Sequence, residues 1–169
     1  MESRFTFRPA TTEDRTYIHR LFYLTDVYGD ESKQVSESFQ KLSQGYVFDW
    51  DPQHDGGVIV LDPSGAPAGG VWLRHWADRT AVGFANISPD VPELIIAVEP
   101  RNIHHGLGVK LLIAAVELAR STGSELLALH VDHANDRAVR IYKRFGFKVM
   151  GTDPLNTGVV MTLDLNGIY

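Results

Sequence analysis

The sequence contains no cysteine, and that absence removes disulfides, thiolate metal sites and a cysteine nucleophile together. Long apolar runs are missing too: the stretches 94–98 and 111–116 fall far short of the ~20 residues that span a bilayer. No dense Lys/Arg run appears. With 16 basic against 21 acidic side chains and a net charge of −5, the chain shows no electrostatic footprint for nucleic acid. Its opening residues, MESRFTFRPATTEDR, carry charges where an export signal needs an apolar stretch. The expectation is a soluble, cytoplasmic protein with no nucleic-acid and no membrane partner.

What is present is enough apolar material for one core. At 169 residues and 44% hydrophobic composition, a single domain covering 1–169 is expected. Phe5 to Phe7 reads as a short strand, and Pro9, Thr11, Thr12 and Glu13 turn the chain into a helix. In that helix Ile18, Leu21, Phe22 and Leu24 recur at helical spacing up to about Val27, where Gly29 offers a stop. A more polar helix is expected over 32–43. Two apolar runs, 57–61 and 70–76, flank Asp62-Pro63-Ser64-Gly65, whose residues favour a hairpin turn. A third strand is expected over 89–98, a long helix over 109–120 ending at Gly123, and a buried strand over 126–131. A helix over 135–145 and strands over 147–150 and 159–165 complete the chain. Strand, two helices, three strands, helix, strand, helix and two strands predict an α/β (α+β) fold, a mixed sheet flanked by helices with a βαβ-like crossover in its second half.

Chemistry concentrates where Ile95-Ile96-Ala97-Val98-Glu99-Pro100 delivers the loop Arg101-Asn102-Ile103-His104-His105-Gly106-Leu107-Gly108 into a helix. The first backbone N–H groups of a helix lack internal acceptors and sit at the positive end of its dipole, so a pyrophosphate is well received there. Glycines at 106 and 108 let the backbone approach phosphate oxygens without a Cβ in between. Glycines in this pattern also serve ordinary tight turns. Two other phosphate loops do not fit: no third glycine stands at Leu111, and no Gly-Lys-Ser/Thr ending follows.

Val98-x-Pro100, five residues, then Gly106-x-Gly108 at the head of an apolar helix resembles the acyl-CoA pyrophosphate loop of the GCN5-related N-acetyltransferase (GNAT) family. Asn135-x-x-Ala138-x-x-x-Tyr142-x-x-x-Gly146-Phe147 is similar to the family's other signature, and the two blocks span about 93–150. The resemblance implies a GNAT-like acyl-CoA N-acyltransferase fold and an N-acetyltransferase. That enzyme would move acetyl from acetyl-CoA, its co-substrate, to a primary amine by direct attack in a ternary complex, with no metal. The sequence departs from the family pattern at Ile103, where Gln or Arg is usual, which shifts the burden onto backbone donors.

By the same resemblance, the backbone of Ile96, Ala97 and Val98 would hold the pantetheine arm, and His104, His105, Gly106, Leu107, Gly108 and Val109 would surround the pyrophosphate. The two imidazoles could add positive charge there as pH falls. Glu93 is the candidate base, with a solvated surface carboxylate as the plain alternative. Tyr142 is the candidate donor to the departing CoA thiolate, with ring packing as its alternative. Asn135 would bond the cofactor, cap its helix, or both. His130 and His133 form an H-x-x-H that lacks an evident third ligand and is read as structural. Trp72, Trp76 and Phe84 fall where acceptor pockets form in this family, or simply in the core. The acceptor is expected to be a small-molecule or peptide amine, and a homodimer is possible. Two rivals remain: an acyl-CoA-binding sensor without turnover, and a structural domain whose glycines only make a turn.

Overall fold

A computed structural model describes residues 4–76, 83–153 and 156–166. Its elements are β1 (Thr6–Pro9), α1 (Arg15–Asp26), α2 (Phe39–Ser43), β2 (Gly57–Leu61), β3 (Pro67–Arg74) and β4 (Glu93–Val98), then α3 (Leu107–Ser121), β5 (Leu126–Asp132), α4 (Asp136–Phe145), β6 (Lys148–Thr152) and β7 (Gly158–Asp164). The sheet has seven strands in the order β1-β2-β3-β4-β5-β7-β6. Only β4 and β5 run parallel, joined by the α3 crossover. This is the mixed α/β sheet expected from the element order.

Local chemistry accounts for the element ends. Thr11 and Asp14 form a reciprocal capping box ahead of α1, and Arg8 grips the Asp14 carboxylate with two 2.8 Å bonds. At the hairpin, Asp62 Oδ1 accepts from Ser64 N, Ser64 Oγ and Ala66 N, so one carboxylate organises the whole turn. The helix expected over 32–43 is the main difference. Only Phe39–Ser43 is α-helical, and it runs on into a π-helical turn, Gln44–Phe48. Side-chain bonding explains the non-helical stretch before it: Asp30 accepts from Ser32, and Asp26 accepts from Ser36 N and Oγ. These polar side chains compete with helical backbone pairing.

Each face of the sheet is covered by one long helix. Leu111, Leu112, Ala115, Val116 and Ala119 of α3 pack on Val71, Leu73, Leu94, Leu127, Leu129 and Met161. On the other face Ile18, Leu21 and Phe22 of α1 meet Ile59, Trp72 and Ile95, with Tyr46, Val47, Trp50 and Trp76 closing the layer. α1 sits so close that a Cβ on Gly70 would lie 2.9 Å from Leu21 Cδ1. The π turn is tied to this layer by three cationic or indole donors. Arg15 Nη1 donates to the carbonyls of Val47, Phe48 and Trp50, Trp72 Nε1 to Tyr46 O, and Arg74 Nε to Gly45 O.

Leu111 is fully buried between α3 and the sheet. We expect Leu111→Ala to lower unfolding free energy by about 2–5 kcal/mol, the range for a leucine cavity in a packed core, measured by urea denaturation.

Candidate active site

The site begins with a fork in the sheet. β4 pairs with β3 along its length, and β5 pairs with β7 along its length. Between β4 and β5, however, the register holds only the pair Glu93↔Ala128. Strand alternation then fixes which peptide groups face the opening. Pro92 O accepts from Ala128 N on the β5 side, whereas Glu99 N donates to Ala68 O on the β3 side. Ile96 and Val98 therefore present their backbone groups to the opening. Ala97, one residue out of phase, spends its peptide groups on β3.

The fork opens a cleft of about 690 Å³ lined by β4, the end of β5, the first turns of α3 and α4, and the segment that follows α1. At the head of α3, Gly106 adopts φ +69° as N-cap. The N–H groups of Leu107, Gly108 and Val109 find no acceptor among the described residues. A Cβ placed on Gly106 or Gly108 would meet nothing within 4 Å, so these glycines border open space rather than packed protein. Ile103 and Arg137 also line the cleft. The imidazoles of His104 and His105 do not; both are exposed, and His105 rests against the Phe5 ring at 5.1 Å.

Glu93 is no solvated surface carboxylate. It is 2% exposed, and its oxygens accept from Tyr46 Oη at 2.7 Å, Trp76 Nε1 at 3.0 Å and Ala85 N at 3.0 Å. Burial pushes its carboxyl up to about 7, against the pull of those three donors and of Arg74. A group poised near neutrality in a cleft can take or hold a proton at working pH. The adjacent Tyr46 phenol is driven well above its usual value by burial and by Glu93. Sequence reasoning had no means of finding Tyr46, Trp76 or Ala85 as partners, because they come from three separate segments.

Across the cleft, Tyr142 is half-buried on α4, its ring edge-on to Phe147 at 6.0 Å. Its hydroxyl has no partner among the described residues, and burial pushes it up to about 12, so it stays a donor at neutral pH. Asn135 caps α4 by accepting from Ala138 N at 3.3 Å and also lines the cleft. The H-x-x-H separates: His130 lies 3.2 Å from Asp153, while His133 meets Asn156. Trp72 belongs to the core, Trp76 reaches Glu93, and Phe84 stacks on His130. Part of the loop expected to shape the acceptor pocket, 77–82, lies outside the described residues. Away from the cleft, His54, Asp55 and His75 bring possible ligand atoms within 4.8 Å of one another. The Asp55 charge there is already matched by Arg74 at 2.7 Å.

The pKa of Glu93 carries a sign. Raised from 4.5 to about 7, the group binds its proton more tightly in the folded chain, so its contribution is fully present below pH 4.5 and lost as pH rises through 7. At 1.36 kcal/mol per unit the loss is on the order of 3 kcal/mol. Subtracting the stability of Glu93→Gln from that of the wild type at each pH removes the background of other carboxylates. We expect that difference to fall between pH 4.5 and 7.5, as followed by chemical denaturation.

Comparison with known proteins bears on the family and the fold. The model of the acetyltransferase (GNAT) family matches residues 23–147. A mycothiol acetyltransferase from Nocardiopsis dassonvillei is 31% identical over 127 residues, 75% of this chain and 37% of that protein. Its counterpart from Propionibacterium freudenreichii is 34% identical over 106 residues, 62% of this chain and 31% of that protein. The chain thus spans well under half the length of these relatives. The fold matches that of the PaiA N-acetyltransferase of Thermoplasma acidophilum, solved with coenzyme A, at a TM-score of 0.69 and 17% identity over 95% of this chain and 99% of that one. It equally matches YncA of Salmonella typhimurium, a putative acetyltransferase solved with acetyl-CoA, at 0.69 and 19% identity over 99% and 97% of the two chains. On the span of the family match, the chain belongs to the acetyltransferase (GNAT) family.

Proposed function

We propose that the protein is an acetyl-CoA-dependent N-acetyltransferase acting on a primary amine of a small molecule or peptide. One observation carries the reading: two sets of unsatisfied backbone groups face the same cleft as a buried carboxyl near neutrality and an unpartnered phenol. The free N–H groups of Leu107, Gly108 and Val109, with the cradle at Gly106, suit a pyrophosphate. Arg137 adds the one cationic side chain among those described on the cleft wall. Ile96 and Val98 offer the alternating donors and acceptors that an amide-bearing arm can pair with. Acetyl-CoA, when bound, supplies the activated thioester.

The chain's own residues then divide the work. Glu93 takes a proton from the incoming ammonium, directly or through water, because a protonated amine has no lone pair to attack with. Tyr142 donates to the leaving thiolate. The cleft wall carries Asp26, Glu93 and Asp132, so its field favours a cationic acceptor. Bringing amine and thioester together in one cleft supplies the orientational part of the rate enhancement. No covalent enzyme intermediate is needed.

The test separates cofactor binding from turnover. Gly108 has open space where its Cβ would go and lies outside the left-handed region, so alanine there should leave the fold intact. We expect titration calorimetry to show acetyl-CoA binding that weakens at least ten-fold in Gly108→Ala, with melting temperature held or raised. We further expect Tyr142→Phe to bind acetyl-CoA like the wild type while amine-dependent thiol release falls roughly 10²-fold or more, the size of a lost general acid. Binding without turnover on a broad amine panel would instead identify an acyl-CoA sensor. No binding at all would overturn both readings.

A further inference from the structure

His130 has no part in the scheme above, yet it stands on the cleft wall. It lies two residues beyond Ala128, the β5 partner of Glu93, and so on the same face of the sheet, where β5 has already parted from β4. The ring is fixed from two sides. Phe84 stacks on it at 4.5 Å and 21°. Behind it Gly158 of β7 presses so close that a Cβ there would lie 2.7 Å from His130 Nε2 and 2.2 Å from Val131 O. The side chain is 14% exposed.

The two ring nitrogens have different surroundings. Nε2 is buried and lies 3.2 Å from Asp153 Oδ2, off the line of a well-formed hydrogen bond. Asp153 is held as a carboxylate: it accepts from Thr157 N and Oγ1 and from Gly158 N, and these bonds outweigh its burial to keep its pKa below the usual value. A bare Nε2 lone pair facing a carboxylate would be repelled, so Nε2 carries the proton. Nδ1 is then left as an acceptor, and with Nε2 the buried nitrogen of a ring that lines the cleft, Nδ1 is the one a ligand there can reach. Burial, partly offset by Asp153, keeps the imidazole pKa below its usual value, which favours this neutral form. The other titratable groups acting on the ring are Asp132 and His133 on its own segment, and Asp26, Tyr28, Tyr46, Glu93 and Tyr142 line the same cleft.

We propose that His130 is a catalytic residue that receives the acceptor amine: its Nδ1 accepts an N–H from that amine and turns the nitrogen lone pair toward the thioester. The step rests on the acetyl-transfer reading and completes its proton balance. Glu93 takes one proton from the ammonium, and the remaining amine keeps an N–H on His130. As C–N forms and C–S breaks, the bonding pair leaves on sulfur, which is protonated by Tyr142. The nitrogen sheds a second proton as it becomes an amide, and His130 Nδ1, already bonded to that N–H, takes it. One net proton passes to solvent once Tyr142 is reprotonated. The short loop at Phe84 and Ala85 binds the two acceptors together, since Ala85 N donates to Glu93, Phe84 N to Tyr46 Oη, and the Phe84 ring covers His130.

The experiment uses the full chain saturated with coenzyme A and methylamine as the probe amine. Nitrogen-15 histidine spectra at pH 7 should show His130 neutral, protonated on Nε2, with its Nδ1 signal moving as methylamine is added. Methylamine affinity, followed on the Trp76 indole N–H, should fall at least ten-fold in His130→Phe. It should stay within about three-fold in His130→Asn, whose amide can place an acceptor near Nδ1. Equal coenzyme A affinity in all three proteins would show that the fold is kept. A proton on Nδ1 or on both nitrogens, a spectrum untouched by methylamine, or a phenylalanine variant that binds it normally would overturn the proposal. Failure to bind coenzyme A would overturn the acetyl-transfer reading beneath it.

Discussion

The parting of β4 from β5 after Glu93 is the constraint on which the rest of the molecule depends. A continuous parallel pair would satisfy the peptide groups of Ile96 and Val98 within the sheet and leave no cleft. The fork is tolerated because each strand is anchored on its other side, β4 to β3 and β5 to β7. The two strands are joined by α3, which packs on both sides of the fork through one core. The peptide groups left over in the gap form an unmet demand that an amide-bearing ligand can satisfy.

The fork also decides where charge can be kept. Glu93 stands at its closed end, where the strands still touch and the side chain is buried. Its carboxyl is therefore raised by burial, yet it is not abandoned, because Tyr46, Trp76 and Ala85 supply donors. Tyr46 is held in place by the π turn, clamped by Arg15, Trp72 and Arg74. Glu99 at the other end of β4 is treated differently. Burial would raise it, but Arg20 at 2.7 Å and Tyr17 at 2.7 Å bring it below its usual value. The carboxylate just past the strand is kept charged to fasten α1, and the one at its start is raised toward neutrality at the head of the cleft.

Much of this was legible from local pattern. Helical spacing in α1 and α3, the Asp62 turn and the Asn135 cap depend on residues a few positions apart, and they appear where that spacing puts them. The glycine-bearing start of α3 at Gly106 and Gly108 was legible for the same reason, since a loop entering a helix is a local event. The segment over 32–43 misled because its polarity fits a surface helix, while Asp26 and Asp30 capture its serines from outside that window. The imidazoles of His104 and His105 sit in the right loop but are exposed and do not line the cleft, a placement that spacing does not encode.

By itself, then, the sequence determined the order of elements, the absence of thiol chemistry and the glycine-bearing helix start, because backbone propensity, composition and cap geometry act over short distances. Tertiary structure alone decided which peptide groups of β4 remain free, that Glu93 is buried with donors from three segments, and that His130 stands on the cleft wall with its Nε2 buried. Those properties arise from neighbours brought together by folding. Asp153 and Gly158 lie more than twenty residues from His130 in the chain, and they reach its ring only because β5 and β7 pair.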